Sequence, residues 1–514
     1  MAVKWGWLAA GAAMLPGAAQ ARWQEASSSH FVVYSEDTPD ALRAFTQKLE
    51  RFDKVLRVTR GIGDDHPTPA SRVTVFVVRD EGAVRKLYGR ASSGVAGFYD
   101  SRASGSVAFV PRRSSDDGSG FTPLVILLHE YAHHFMFANM GSAPFPGWIV
   151  EGFAEFNATT QIKDDGNAVI GYVPQFRAWG ILDDDTLPAS RLLTADPQKL
   201  SEQARSVFYS RAWLLMHFLM LDPTGREQLS AYLAAIRKGT PLAAAAKLLD
   251  PHGKLDDQLN AYVKRRSLSG FSVAADRLGI GEVMVRAMSP AEAAIMPARI
   301  ASSRGVDAKS APAVAALARQ LAAPFPHDAF VQNELAEAEF DAGNFDACQA
   351  AADRALTADA KSVHALVYEG MARMGRAQKA GDTDPKPWAE ARSWFSKANH
   401  LDPENPYPLV LFFGSFTAAK QTPSRNAQEG LLYARTLAPF DLGLSLTAAD
   451  VLLEQGKPDD ARTLLETVAY NPHGGELSTV AGKALAALSS PSRSSDARRI
   501  LQGKGADTPA HAFD

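Results

Sequence analysis

Apolar residues recur along the chain with different periods, and the changes of period divide it. His30-Phe31-Val32-Val33-Tyr34 is a short β-branched and aromatic run, which predicts a strand. Thr38-Pro39-Asp40 follows, with Thr38 suited to an N-cap and Pro39 to the first turn of a helix. Leu42, Phe45, Leu49, Phe52 and Leu56 then fall three and four apart and form one apolar helix face. Arg72-Val73-Thr74-Val75-Phe76-Val77-Val78 reads as a buried strand. Gly97-Phe98-Tyr99 and Ser106-Val107-Ala108-Phe109-Val110 read as two more, joined by a Ser/Gly-rich turn. A helix is predicted over Pro123–Asn139, and most of the chain from there to about Ser267 reads as helix. The first part of the chain is therefore expected to be α+β.

Residues 268–325 are ambiguous and form an unassigned junction, in which Met284, Met288 and Met296 read as core packing. Beyond it a longer period begins. Leu335, Ala336, Cys348, Ala352, Ala355 and Ala360 put small residues where two helices would touch, as tetratricopeptide repeats do. Gly370, Ala391, Phe395, Ala398 and Pro403 make a second unit, with an insertion around 381–387. Ser415, Ala427, Leu431, Ala434 and Pro439 make a third, and Ala449, Ala461, Leu465 and Pro472 a weaker fourth. An Ala-rich helical bundle shows such coincidences singly, but several units in phase at about 34 residues favour helical hairpins. Arrays of this kind present a concave surface to a partner, so a protein partner is expected on residues 326–488. The polar stretch 489–514 is expected to be a flexible tail.

Composition adds exclusions. The 514 residues allow about three domains at roughly 150 residues each. With 54 Lys+Arg against 57 Asp+Glu, the net charge of −3 argues against a dedicated nucleic-acid binder. Lys4, an apolar run over 5–15, and Ala19-Gln20-Ala21 together read as an export signal, residues 1–21, cleaved after Ala21. That run is too short to span a bilayer, and no integral membrane segment is expected after cleavage. No cysteine follows it, which excludes a lipoprotein anchor. The mature chain is expected to be periplasmic or secreted. Cys348 is the one cysteine, so a disulfide framework and a thiolate-based zinc site are excluded. Any metal site must be built from His, Asp or Glu.

Such a set occurs at one place. Leu128-His129-Glu130-Tyr131-Ala132-His133 contains His-Glu-x-x-His inside an apolar helix. Residues four apart share a helix face, so His129 and His133 can present both imidazoles to one metal ion. Glu130 stands beside them to activate a bound water. A catalytic zinc site needs a third protein ligand and an open position. Trp148-Ile149-Val150-Glu151-Gly152-Phe153-Ala154-Glu155 opens a second helix after a Pro/Gly-rich turn, and Glu151 is the natural third ligand. Glu155, one turn on, is either the partner that fixes the tautomer of His129 or a solvated carboxylate. His134 points away from the ligand face and reads as structural.

His129-Glu130-x-x-His133 followed by Trp148-x-x-Glu151-Gly152-x-Ala154-Glu155 resembles the gluzincin peptidases. The likeness is nearest to exported bacterial peptidase-like proteins in which such a domain precedes tetratricopeptide repeats. Trp23 and His30-Phe31-Val32-Val33-Tyr34-Ser35 resemble the start of that domain. The resemblance covers roughly Trp23 to Ser267, within an expected domain of residues 22–267. It implies an α+β zincin-like catalytic domain, one Zn2+ per chain held by His129, His133 and Glu151, and hydrolysis of a peptide or protein substrate. It also implies an edge strand, at 106–112, that aligns substrate.

The expected chemistry is attack by zinc-activated water with Glu130 as general base. An oxyanion donor is also needed. Tyr209, in Val207-Phe208-Tyr209-Ser210-Arg211, is the candidate, where related peptidases often carry a tyrosine; Tyr172 competes more weakly. Tyr209 could equally be packing in its helix, and His217 reads as a core histidine. No Gly-x-Met-Glu-Asn strand motif precedes the zinc helix, which tilts the reading towards an endopeptidase. Two alternatives remain: a periplasmic repeat scaffold with an inactive peptidase-like domain, and hydrolysis of a non-peptide bond such as one in the cell wall.

Overall fold

A computed structural model of the chain describes residues 23–507 apart from 65–66, 90–94, 113–119, 141–143, 184–186, 266, 269 and 490–492. The expected export signal, 1–21, lies outside the described residues. The strands are β1 (Gln24–Ser27), β2 (Phe31–Ser35), β3 (Val73–Val78), β4 (Phe98–Asp100), β5 (Val107–Pro111), β6 (Gln161–Ile162), β7 (Ala168–Ile170), β8 (Phe271–Val273) and β9 (Met284–Ala287). They form a six-stranded mixed sheet in the order β4-β5-β3-β2-β1-β9 and a small sheet β6-β7-β8. The helices that accompany the sheets are α1 (Pro39–Arg60), α2 (Glu81–Tyr88), α3 (Pro123–Asn139), α4 (Gly147–Ala158), α5 (Ala178–Leu182), α6 (Ala189–Leu192), α7 (Glu202–Leu221), α8 (Pro223–Arg237), α9 (Leu242–Ala245) and α10 (Leu255–Val263).

The central strands β2, β3 and β5 run parallel, with α1 and α2 in the connections between them. Both faces of β3 are covered, which accounts for its nearly unbroken apolar run. Val33, Val75, Ala108 and Val110 pack with α1 and α3. The opposite face carries an aromatic ladder, Tyr34–Phe76–Phe109–Phe98, with ring centroids 5.6, 5.4 and 4.8 Å apart. α1 starts as its sequence requires: the Thr38 hydroxyl accepts from the Ala41 N–H, and Gly61 closes the helix at φ 65°. α3 is fastened to α1 by a buried hydrogen bond from the Tyr131 hydroxyl to Asp53, 2.9 Å, and Asp53 in turn pairs with Arg57 at 2.6 Å.

The remaining helices form an all-α array. α11 (Pro290–Ser303) and α12 (Ala311–Ala322) lead into five helical hairpins: α13 (Ala329–Asp341) with α14 (Phe345–Ala358), α15 (Val363–Ala380) with α16 (Pro385–Leu401), α17 (Pro406–Ala418) with α18 (Arg425–Leu437), α19 (Leu442–Glu454) with α20 (Pro458–Ala469), and α21 (Gly475–Leu488) with α22 (Arg493–Asp507). Small residues sit at the contacts: Ala336, Cys348, Ala352, Ala355, Ala391 and Ala398 are all fully buried. No helix among the described residues is long and apolar enough to cross a membrane.

Four sequence expectations are corrected. The strand at 106–112 is not an edge, because the turn after Asp100 folds β4 back along β5, and Phe98 pairs with Phe109. The junction 268–325 is not one unit: β8 and β9 complete the two sheets, while α11 and α12 begin the array. Met288 and Met296 pack under the aromatic ladder, but Met284 is exposed, because β9 is the outermost strand of its sheet. The tail is not all flexible: Ala497 and Leu501 are buried, and they dock α22 onto its neighbours.

α4 is buried along its whole length and packs most closely on α7. Gly152 makes that approach possible, since a Cβ there would lie 2.7 Å from the Ala212 carbonyl oxygen. Overpacking of this kind costs about 1–3 kcal/mol. Gly152→Ala should therefore lower the midpoint of denaturant unfolding clearly relative to Gly482→Ala, where a Cβ would meet open space, and an unchanged midpoint would contradict this packing.

Candidate metal centre

α3 supplies two imidazoles from one face. His129 and His133 lie one turn apart, and their Nε2 atoms are 3.1 Å from each other. α4 brings Glu151 against them: one carboxylate oxygen is 3.5 Å from Nε2 of each histidine. The three residues offer ligand atoms that all lie within 4.8 Å of one another, so the group could bind a metal ion. All three expected ligands thus converge.

The donor set has the chemistry of a cation site. Glu151 is 0% exposed, and neither carboxylate oxygen has a hydrogen-bond partner in good geometry. A buried carboxylate in that position needs a cation near it. Burial pushes its pKa up, but His473, His133 and His129 outweigh this and hold the carboxyl well below its ordinary range. His129 is raised, because Glu151, Glu155 and Glu130 outweigh its burial; His133 is lowered by burial. Nδ1 of His133 is also buried without a partner.

The other expected residues are placed as follows. Glu130 is half-buried on α3, and its charge reaches His129, Tyr99 and His473. Glu155 is buried, so it is not a solvated carboxylate. It faces Nδ1 of His129 at 3.7 Å, too long for a hydrogen bond, and its strong partner is Arg177 at 2.6 Å. Arg177 also lies over the Tyr209 ring, 5.1 Å from its centroid, and so couples α4 to α7. Burial and the charges of Glu151 and Glu155 raise the Tyr209 phenol. Lys163 covers Tyr172, 5.0 Å from the ring centroid.

Two histidines are structural. His134 faces away from the donors, with its Nδ1 2.5 Å from the Tyr99 hydroxyl and its ring 4.6 Å from Phe440. Burial pushes its pKa down to about 3. His217 sits between the Tyr262 hydroxyl at 2.9 Å and the Gly171 carbonyl at 3.1 Å, and burial brings it to about 4.

Arg177 was not anticipated from the sequence, and neither was a histidine of the array. His473, in the turn between α20 and α21, reaches the donor group from 340 residues beyond His133. Its Nε2 is 3.1 Å from Nε2 of His133 and 3.0 Å from Oε1 of Glu151. A single histidine in Asn471-Pro472-His473-Gly474-Gly475 carries no ligand spacing, so pattern alone could not select it. Glu151 outweighs burial there and raises its pKa to about 9, while the side chain stays 43% exposed.

Comparison with known protein families finds no family model that matches the chain, and comparison with curated proteins finds no match.

Dialysis against a divalent transition metal should leave about one ion bound per chain. Glu151→Gln and His133→Ala should each reduce that content several-fold by elemental analysis. Full retention by both variants would place the ion elsewhere.

Proposed function

We propose that the chain is a zinc-dependent endopeptidase, exported to the periplasm or beyond. The observation that carries this reading is the convergence of His129 and His133 from α3 and Glu151 from α4, with Glu130 adjoining them. Two imidazoles and one carboxylate are a common catalytic zinc set. Tetrahedral bonds of about 2.0–2.1 Å imply donor separations of roughly 3.4 Å, and the three donors stand 3.1–3.5 Å apart. When bound, zinc supplies a Lewis acid that polarises a carbonyl and makes water more acidic.

The chain's own groups then divide the work. Glu130 accepts the proton of the attacking water as its oxygen joins the scissile carbonyl carbon. It returns that proton to the amide nitrogen as the C–N bond breaks. Tyr209, held against Arg177, donates its phenolic hydrogen to the developing oxyanion. Arg177 neutralises Glu155, so that the second buried carboxylate of α4 does not compete with Glu151 for cations. β4 is the outer strand beside α3, and its Tyr99 reaches His134. An extended peptide would add at that edge.

A second reading, a helical-repeat scaffold with an inactive site, is favoured by one observation: His473 stands among the donors.

Glu130→Gln should keep its zinc and lose hydrolysis of a peptide library by about 10²–10⁴-fold. Undiminished cleavage would remove Glu130 from the role of base. Tyr209→Phe should lower kcat by about 10²-fold with zinc content and KM little changed. A change confined to KM would make Tyr209 a binding residue instead.

A further inference from the structure

We propose that His473 is a fourth protein ligand of this metal site, delivered by the helical array, and that it shuts the site until the array withdraws it. The inference rests on the zinc reading above and adds a regulation to it.

Position carries the argument. Nε2 of His473 stands 3.1 Å from Nε2 of His133 and 3.0 Å from Oε1 of Glu151. The spacing to His133 equals that between His129 and His133 and is close to the roughly 3.4 Å edge of a zinc tetrahedron; the contact to Glu151 is made with Oε1, while Oε2 faces the two histidines of α3. A histidine serving as an oxyanion donor would stand farther off. It would have to leave room for a substrate oxygen at about 2.7–3.1 Å from itself, between it and the ligands. His473 leaves no such gap.

The turn that carries His473 is built to hold it there. The Asn471 side chain accepts from the His473 backbone N–H at 2.8 Å, and the Ser478 hydroxyl donates to the carbonyls of Val468 and Asn471 at 2.8 and 2.9 Å. Asn471 and Pro472 are buried. Gln198, from the sheet-bearing domain, donates to the Pro472 carbonyl at 2.5 Å. A second turn of the array docks on the same side: the Ala103 N–H donates to Asp441 at 2.9 Å, and Phe440 lies against His134. The array therefore meets the domain that carries the donors through turns.

The chemistry of closure is simple. A catalytic zinc keeps three protein ligands and one position for water. A third imidazole fills that position, and hydrolysis needs its departure. His473 is 43% exposed, so it can leave by a movement of its turn.

The test uses the full chain loaded with zinc. Zinc K-edge X-ray absorption counts imidazole ligands directly. Wild-type protein should show three and His473→Ala two, with zinc affinity in the variant about tenfold or more weaker against a chromophoric chelator. His473→Gln, which keeps size and polarity, should match His473→Ala, with thermal midpoints confirming that both fold. Peptide hydrolysis should rise at least tenfold in both variants, and Glu130→Gln added to either should abolish the gain. Two imidazoles in wild type and variant alike would overturn the proposal and leave the zinc reading intact. Zinc bound by neither protein would sink the zinc reading as well. Loss of an imidazole with no gain in hydrolysis would overturn closure.

Discussion

Withdrawing a carboxylate from water and giving it no hydrogen-bond donor is unfavourable unless a cation stands close by. Glu151 is such a group, and the architecture around it follows from that demand. α4 is buried along its whole length, so its carboxylates cannot escape to solvent. Glu155 is satisfied by Arg177. Glu151 faces three imidazoles, two from α3 and one from the array. Two consecutive helices and a turn 340 residues beyond His133 must therefore meet within a few ångströms. The contacts that bring them together include Tyr131 with Asp53, Gly152 against α7, and the turn that carries His473.

The parts legible in the sequence are those whose information is local. α3 follows from a continuous apolar segment and spans Pro123–Asn139 as expected, and its His-Glu-x-x-His spacing fixes which face carries the donors. α1 follows from its cap and its three-and-four spacing. Elements completed by distant partners were not legible. β1, Gln-Glu-Ala-Ser, has no β-branched residue and is a strand only because β2 and β9 flank it. β9 was hidden in an unassigned interval for the same reason. Arg177 and His473 were missed because each acts through a partner in another segment, Glu155 and Glu151 respectively. The expectation that Glu151 joins His129 and His133 is met in the geometry, which could hold a metal ion, but no local pattern pointed to His473.

The array is fastened to the sheet at its start as well as through its turns. Met288 and Met296 pack under the aromatic ladder. Arg299 lies 4.9 Å from the centroid of Tyr34 while pairing with Glu334 of α13 at 2.8 Å. A buried guanidinium so placed ties the first helices of the array to β2 through both charge and ring contact. The start of the array is thus held to the sheet independently of the turn that carries His473.

The pairing of β1 with β9 bears on how the chain comes into being. A polypeptide leaves the ribosome N-terminus first and its domains tend to fold as they emerge. Here the strand that covers β1 lies about 260 residues downstream of it. Until that strand is synthesised, β1 presents an open row of amides and carbonyls, which is a site for wrong pairing with other chains. The sheet and the helices that carry the donor group are therefore not a cassette that can be cut at residue 267 and moved to another protein. Nascent chains of this protein must be shielded, or fold late, until residue 287 is available.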